Sequence, residues 1–106
     1  MESIFKALAD PTRRAVLDRL FDRNGQTLGE LCEGLTMTRQ GVSKHLAILE
    51  DVWLVVTERK GREKRHFLNP VPIRQIHDRW IRKFETGRLD ALDELRRRLE
   101  GGRESE

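Results

Sequence analysis

The sequence predicts a mostly α-helical fold carrying one small β-hairpin. Three observations carry this reading. Apolar residues recur at helical spacing across residues 3–50. The period then shortens to that of strands around a basic, glycine-containing turn. Helical spacing resumes after Pro70 and persists to Leu99.

The helices follow in order. Ile4, Phe5, Leu8 and Ala9 mark a short helix over 3–9. Asp10-Pro11 restarts the chain, with Asp10 as N-cap and Pro11 at the first helical position. A helix over 11–22 then presents Ala15, Val16, Leu17, Leu20 and Phe21 as its buried face, and Asn24-Gly25 ends it. Thr27 is the N-cap of a helix over 28–34, with Glu30 three residues on as capping-box partner. Leu28, Leu31 and Leu35 face inward. A turn over 35–37 leads to Thr38, the N-cap of a helix reaching Glu50. Val42, Leu46 and Leu49 form its apolar stripe, widened by Ala47 and Ile48. Its opposite face begins with Arg39, Gln40, Ser43 and Lys44, none acidic. A short helix, a tight turn and a longer helix with a polar entry face make a helix-turn-helix. The dipole and side chains at the start of the second helix both favour phosphate, which suits entry into a DNA major groove. An amphipathic helix with a solvated face is the plainer alternative.

Leu54, Val55, Val56 and Thr57 are β-formers, residues 58–64 form a polar turn, and Arg65-His66-Phe67-Leu68 resumes the strand pattern before Asn69-Pro70. The hairpin carries Arg59, Lys60, Arg62, Lys64 and Arg65 at its tip. A helix-turn-helix followed by a basic hairpin is a winged helix, whose tip reaches a phosphate backbone or minor groove. The alternative for the tip is a solubilising edge. Pro72 opens the last helix, with Ile73, Ile76, Trp80 and Phe84 in a stripe that Leu89, Leu92, Leu95 and Leu99 continue, and with a possible break at Gly87. So long a stripe exceeds what so small a domain can cover. A second copy of the chain would bury it.

Composition agrees. The chain has 106 residues, enough for one domain, read here as 1–100 with a disordered tail over 101–106. Charged residues make up 37%, against about 25% in an ordinary domain. Lys/Arg against Asp/Glu number five to six over 1–36, seven to four over 37–70 and nine to eight over 71–106. The positive excess therefore sits around the recognition helix and hairpin, as expected of a nucleic-acid face. A single cysteine, Cys32, excludes an intrachain disulfide and fits a reducing cytoplasm. No apolar run approaches a membrane span, and Glu2, Lys6 and Asp10 do not read as a signal peptide. Ser43 and His45 diverge on a helix, and no carboxylate pair or phosphate loop is evident, so an enzyme is not expected.

The chain resembles the ArsR-type winged-helix repressors. The resemblance covers residues 2–100. It rests on Ile4-Phe5-Lys6-Ala7-Leu8-Ala9-Asp10-Pro11-Thr12-Arg13-Arg14, on Val42-Ser43-Lys44-His45-Leu46-Ala47-Ile48-Leu49-Glu50, and on His66-Phe67-Leu68-Asn69-Pro70. It implies a homodimer that binds double-stranded DNA at an imperfect palindrome and represses transcription. It implies dimerisation through the N- and C-terminal helices, by Ile4, Phe5, Leu8, Ile76, Trp80, Phe84, Leu92, Leu95 and Leu99. It also puts Thr38, Gln40, Ser43, Lys44, His45 and the basic hairpin residues on DNA, and Arg39, from its place on the same polar face, joins them as an expected DNA contact.

Two stretches depart from the pattern. Metal-sensing members carry two thiols one residue apart, whereas Leu31-Cys32-Glu33-Gly34 offers one. A soft-metal site needs converging thiolates or imidazoles, and His77 and Asp78 point about 100° apart on a helix, so no metal and no cofactor is expected. Cys32 reads as a small core residue, with a thiol switch as the alternative. The second departure is Asp51-Val52-Trp53-Leu54, where the family has a small residue and then glycine. Partial burial of Trp53 beneath the wing is the expectation. The rival function is a protein-interaction module using the same faces. An inducer, if one exists, is not named by the sequence.

Overall fold

A computed structural model describes residues 2–81 and 86–104. Among the described residues six helices and one hairpin follow in chain order: α1 Glu2–Ala9, α2 Pro11–Asp22, α3 Leu28–Glu33, α4 Arg39–Asp51, β1 Val55–Lys60, β2 Glu63–Leu68, α5 Val71–Trp80 and α6 Thr86–Glu104. The chain falls into two compact units, Met1–Ile73 and Arg74–Glu106.

The caps form as their residue types dictate. The Asp10 carboxylate accepts the N–H groups of Thr12 at 2.8 Å and Arg13 at 3.2 Å. Thr27 Oγ1 accepts the Glu30 N–H at 3.2 Å and lies 3.2 Å from the Glu30 carboxylate. Thr38 Oγ1 accepts the Gly41 N–H at 3.1 Å.

The core of the first unit is Val16, Leu17 and Leu20 from α2, Leu31 from α3, Val42, Leu46 and Leu49 from α4, and Leu54 and Val55 from the start of the wing, with Ala7 from α1. Cys32 packs half-buried against it, as a core thiol. Three apolar residues expected inward face out. Phe21 is 78% exposed, and Ala47 and Ile48 are also exposed. On α2 the buried residues span about 100° of helix, and Phe21 lies about 40° beyond Leu17. It borders a hollow of about 360 Å³ with Leu8, Leu17, Leu68 and Ile73.

The hairpin is longer and tighter than its sequence implies. Its antiparallel register runs from Val55 opposite Leu68 to Lys60 opposite Glu63, leaving only Gly61-Arg62 as the turn. Gly61 has φ 62° while Arg62 does not share the positive value, the signature of a II′ turn. The register sets residues of opposite charge across from each other at Glu58–Arg65 and Lys60–Glu63.

Trp53 is not buried. It is 67% exposed and adopts φ 63°. The reason lies in the end of α4. Leu54 N–H donates to Leu49 O at 3.0 Å and Trp53 N–H to Glu50 O at 3.0 Å. This is a Schellman ending, with Trp53 at the left-handed position that glycine normally fills. Leu49 and Leu54, which flank it, are both fully buried.

The C-terminal helical segment, whose continuity past Gly87 the sequence leaves open, is two helices, α5 and α6, and Gly87 lies in the first turn of α6. Phe84 lies outside the described residues. Helix α6 runs to Glu104, through Gly101 and Gly102, where a disordered tail is expected. Once a helix is nucleated each further residue adds one hydrogen bond, so two glycines in the last turns do not halt it.

Candidate nucleic-acid interface

The polar face of α4 is open. Arg39, Gln40, Ser43 and Lys44 are all exposed, and none makes an ion pair or side-chain hydrogen bond among the described residues. Thr38 begins the face, its oxygen holding the cap.

His45 has a different situation. It is half-buried, with Nδ1 3.3 Å from a guanidinium nitrogen of Arg13. Arg13 has donors only, so His45 Nδ1 is the acceptor and the neutral ring carries its proton on Nε2. Arg13 is a junction. It donates to Ala7 O at 2.8 Å and Lys6 O at 3.0 Å, and its guanidinium lies 3.9 Å from the Asp10 carboxylate. One side chain thus ties the end of α1, the cap of α2 and the middle of α4. The Arg13 N–H holds the Asp10 carboxyl below its usual range against the opposing effect of desolvation, with lesser help from the Thr12 N–H and the Arg13 guanidinium.

The wing is anchored by residues that sequence reasoning missed. Buried His66 exchanges backbone bonds with Gln26 and donates Nδ1–H to Gln26 O at 2.9 Å. Gln26, also buried, gives its amide to Arg19 O and Arg23 O at the end of α2. Asn24 accepts the Leu68 N–H at 2.8 Å. A polar pair buried from opposite ends of the unit carries no periodic signal; only a histidine on the apolar side of a strand hinted at it.

The basic hairpin residues divide in two. Arg65 is engaged within the fold, donating to Gly25 O at 2.8 Å and pairing with Glu63 at 2.6 Å and Glu30 at 3.8 Å. It anchors the wing. Arg59, Lys60 and Arg62 are exposed with no ion pair among the described residues, and Lys64 reaches Glu50 at 3.5 Å. Arg59 stands directly opposite Lys64. Like charges so placed destabilise a hairpin on their own. Between the wing, α4 and the start of α3 lies a cleft of about 660 Å³, lined by Arg39, Ser43, Arg62, Lys64 and His66 among others.

No cluster of three metal-ligating side chains occurs among the described residues. His77 Nδ1 and Asp78 Oδ1 lie 3.5 Å apart at adjacent positions on α5. Two exposed donors do not make a coordination site. On the residues implicated in dimerisation, Ile4 and Leu8 are half-buried and pack on the core, and Ile76 is half-buried. Phe5 and Trp80 are each 44% exposed, and Leu92, Leu95 and Leu99 are exposed over more than half their surface.

Helix α3, its turn, α4 and the following hairpin define a winged helix-turn-helix, a class built to bind DNA. A family model described as a helix-turn-helix domain matches residues 8–58. The chain belongs to the ArsR family of helix-turn-helix transcriptional regulators, and it is a transcriptional regulator with a DNA-binding helix-turn-helix. It is 43% identical over 86 residues to the uncharacterized HTH-type transcriptional regulator YuzN of Bacillus subtilis, covering 76% of this chain and 94% of that protein. It is 33% identical over 84 residues to the transcriptional repressor SdpR of Bacillus subtilis, covering 79% of this chain and 91% of that one. The solved structure of an ArsR-like transcriptional regulator from Rhodococcus sp. RHA1 matches with a TM-score of 0.72 at 28% identity, over 99% of this chain and 91% of that one.

Proposed function

We propose that the protein is a homodimeric repressor that binds an imperfect DNA palindrome, with α4 in the major groove and the wing on the flanking backbone. The carrying observation is the Arg59–Lys64 pair. Two cations stand opposite each other on a wing face that also borders the open polar face of α4. Glu50 offsets Lys64 at 3.5 Å, while Arg59 has no ion pair among the described residues, and a polyanion supplies a counter-charge to both. Gln40 and Ser43 read base edges, glutamine favouring adenine. Arg39 reads guanine or holds phosphate. Thr38, Lys44 and the wing residues Arg59, Lys60, Arg62 and Lys64 hold phosphates, and His45 offers its Nε2 proton to one. Two copies joined through α1 and the C-terminal helices would set two recognition helices about 34–36 Å apart, one turn of DNA.

The test is a titration of the protein into a labelled fragment of its own upstream DNA, with random competitor, at two salt concentrations. Binding that survives competitor and weakens steeply with salt supports the reading. A folded dimer that shows equal affinity for both DNAs, or no salt dependence, overturns it.

A further inference from the structure

We infer that Glu50 is a positioning residue for DNA contact, a carboxylate that competes with backbone phosphate for the Lys64 ammonium and so sets how tightly the wing grips. The inference rests on the reading of the wing as a phosphate-holding element and adds to it a residue and a direction of effect. Lys64 Nζ lies 3.5 Å from Glu50 Oε1, with 47% of the lysine side chain and 28% of the glutamate side chain exposed. Glu50 comes eleven residues after Arg39 on α4, about 16 Å along the axis at 1.5 Å per residue. It stands in the last turn, far from the end of the helix that favours phosphate. The pair therefore draws the ammonium toward the C-terminal turn of α4 and away from Arg39, along the cleft that all three residues line.

The surroundings single Glu50 out. Two acids line the cleft between the wing and α4, Glu50 and Glu63. Glu63 is taken by Arg65 at 2.6 Å, and Arg65 is itself bound to Gly25 O, so that acid and that cation serve the fold. Glu50 has one ion-pair partner among the described residues, and the partner is a cation of the wing face. Helix stability does not account for Glu50. A carboxylate in the last turn meets the negative end of the helix dipole, and α4 carries no basic residue there to offset it. Lys64 needs a counter-charge in the free protein, because Arg59 stands opposite it across the hairpin. Glu50 supplies that charge in the free protein, and phosphate supplies it in the complex. One ammonium on a long flexible stem moves between the two. Each phosphate contact of Lys64 thus costs the Glu50 pair, on operator and random DNA alike, since phosphate is common to both.

The experiment measures binding of the full chain, at low salt, to a random-sequence duplex and to a labelled fragment of its own upstream DNA. Glu50→Gln should bind both DNAs about two- to fivefold more tightly, the range that exposed ion pairs span. In a Lys64→Gln background the same change should gain no more than Asp51→Asn, which removes an equal charge from the same turn. This double-mutant cycle separates competition for Lys64 from simple repulsion of DNA by an acid. A second cycle, by urea unfolding without DNA, should show Glu50 and Lys64 stabilising each other, as a pair formed in the free protein requires. If Glu50→Gln leaves affinity unchanged, or gains equally with and without Lys64, the inference is overturned while the DNA-binding reading stands. Absence of coupling in the unfolding cycle overturns it as well. A wild-type chain with no salt-dependent binding to either DNA overturns the reading on which the inference rests.

Discussion

Trp53 shows what a single residue costs when the backbone demands another. The Schellman ending of α4 requires a left-handed residue, and Trp53 supplies φ 63° while remaining 67% exposed. A non-glycine residue there costs on the order of 1–2 kcal/mol, and the exposed indole recovers little of it by burial. The carbonyl does find a partner, since the Asn69 amide donates to it at 2.7 Å, but that bond belongs to the backbone and survives substitution. Trp53→Gly should therefore raise stability by about 1 kcal/mol, after allowing for the greater freedom of glycine in the unfolded chain. Urea unfolding of the two proteins measures it; an unchanged or lower midpoint would mean the ring is doing structural work not visible in its contacts. Asp10 gives a prediction in pH. Its carboxyl is held below the ordinary range, first by the Arg13 N–H. The folded state thus releases this proton more readily than the unfolded one. The resulting stability is complete above the unfolded value and fades as pH falls through the folded one. Asp10→Asn keeps a cap but not the charge, so the gap between wild type and variant should narrow on acidification, as followed by thermal melts at stepped pH.

The elements were legible wherever chemistry is local. The caps at Asp10, Thr27 and Thr38, the stripe Val42, Leu46 and Leu49, and the order of helices and hairpin all follow from residue type and spacing. What spacing does not convey is how wide a face a small core can cover, so Phe21, Ala47 and Ile48 are exposed at the margins of stripes that end sooner than expected. Nor does it convey partners distant in sequence. Arg65 looks like another wing cation until Gly25 and Glu30 are found beside it, and His45 looks free until Arg13 is. The recognition helix and the wing should accordingly behave differently on DNA. Gln40→Ala removes a bidentate donor and acceptor aimed at one base, at an expected cost of about 1–3 kcal/mol confined to that position of the operator. Arg62→Ala removes one phosphate partner, weakening all sequences alike and reducing the salt slope by about one. Anisotropy titrations against an operator series separate the two; equal losses for Gln40→Ala on specific and random DNA would count against base readout.

At the scale of the whole molecule, the proposed homodimer would take its folding and its avidity for DNA from different parts of the chain. The buried apolar core runs from Ala7 to Val55, within the unit that ends at Ile73. The caps, the Arg13 junction and the Gln26–His66 anchor of the wing lie there too. Among the described residues the second unit, Arg74–Glu106, contributes none of these, and its Leu92, Leu95 and Leu99 are exposed. A chain ending at Ile73 should therefore keep the helical signal of its first four helices and unfold in one cooperative transition. It should bind DNA far more weakly, for a reason of concentration rather than contact. When two recognition helices are joined, binding of the first brings the second to its half-site at an effective concentration in the millimolar range, so avidity exceeds single-site affinity by about 10²–10⁴. Removing residues 74–106 removes that gain and leaves every residue of α4 and the wing in place. The truncated chain should thus lose on the order of 10²-fold or more on a two-half-site operator, and change little on a single half-site. Circular dichroism melts and paired titrations on the two DNAs measure both halves of the claim. A fragment that fails to fold would show that the core depends on the second unit. A folded fragment with undiminished affinity for the full operator would show that α1 alone joins the two copies.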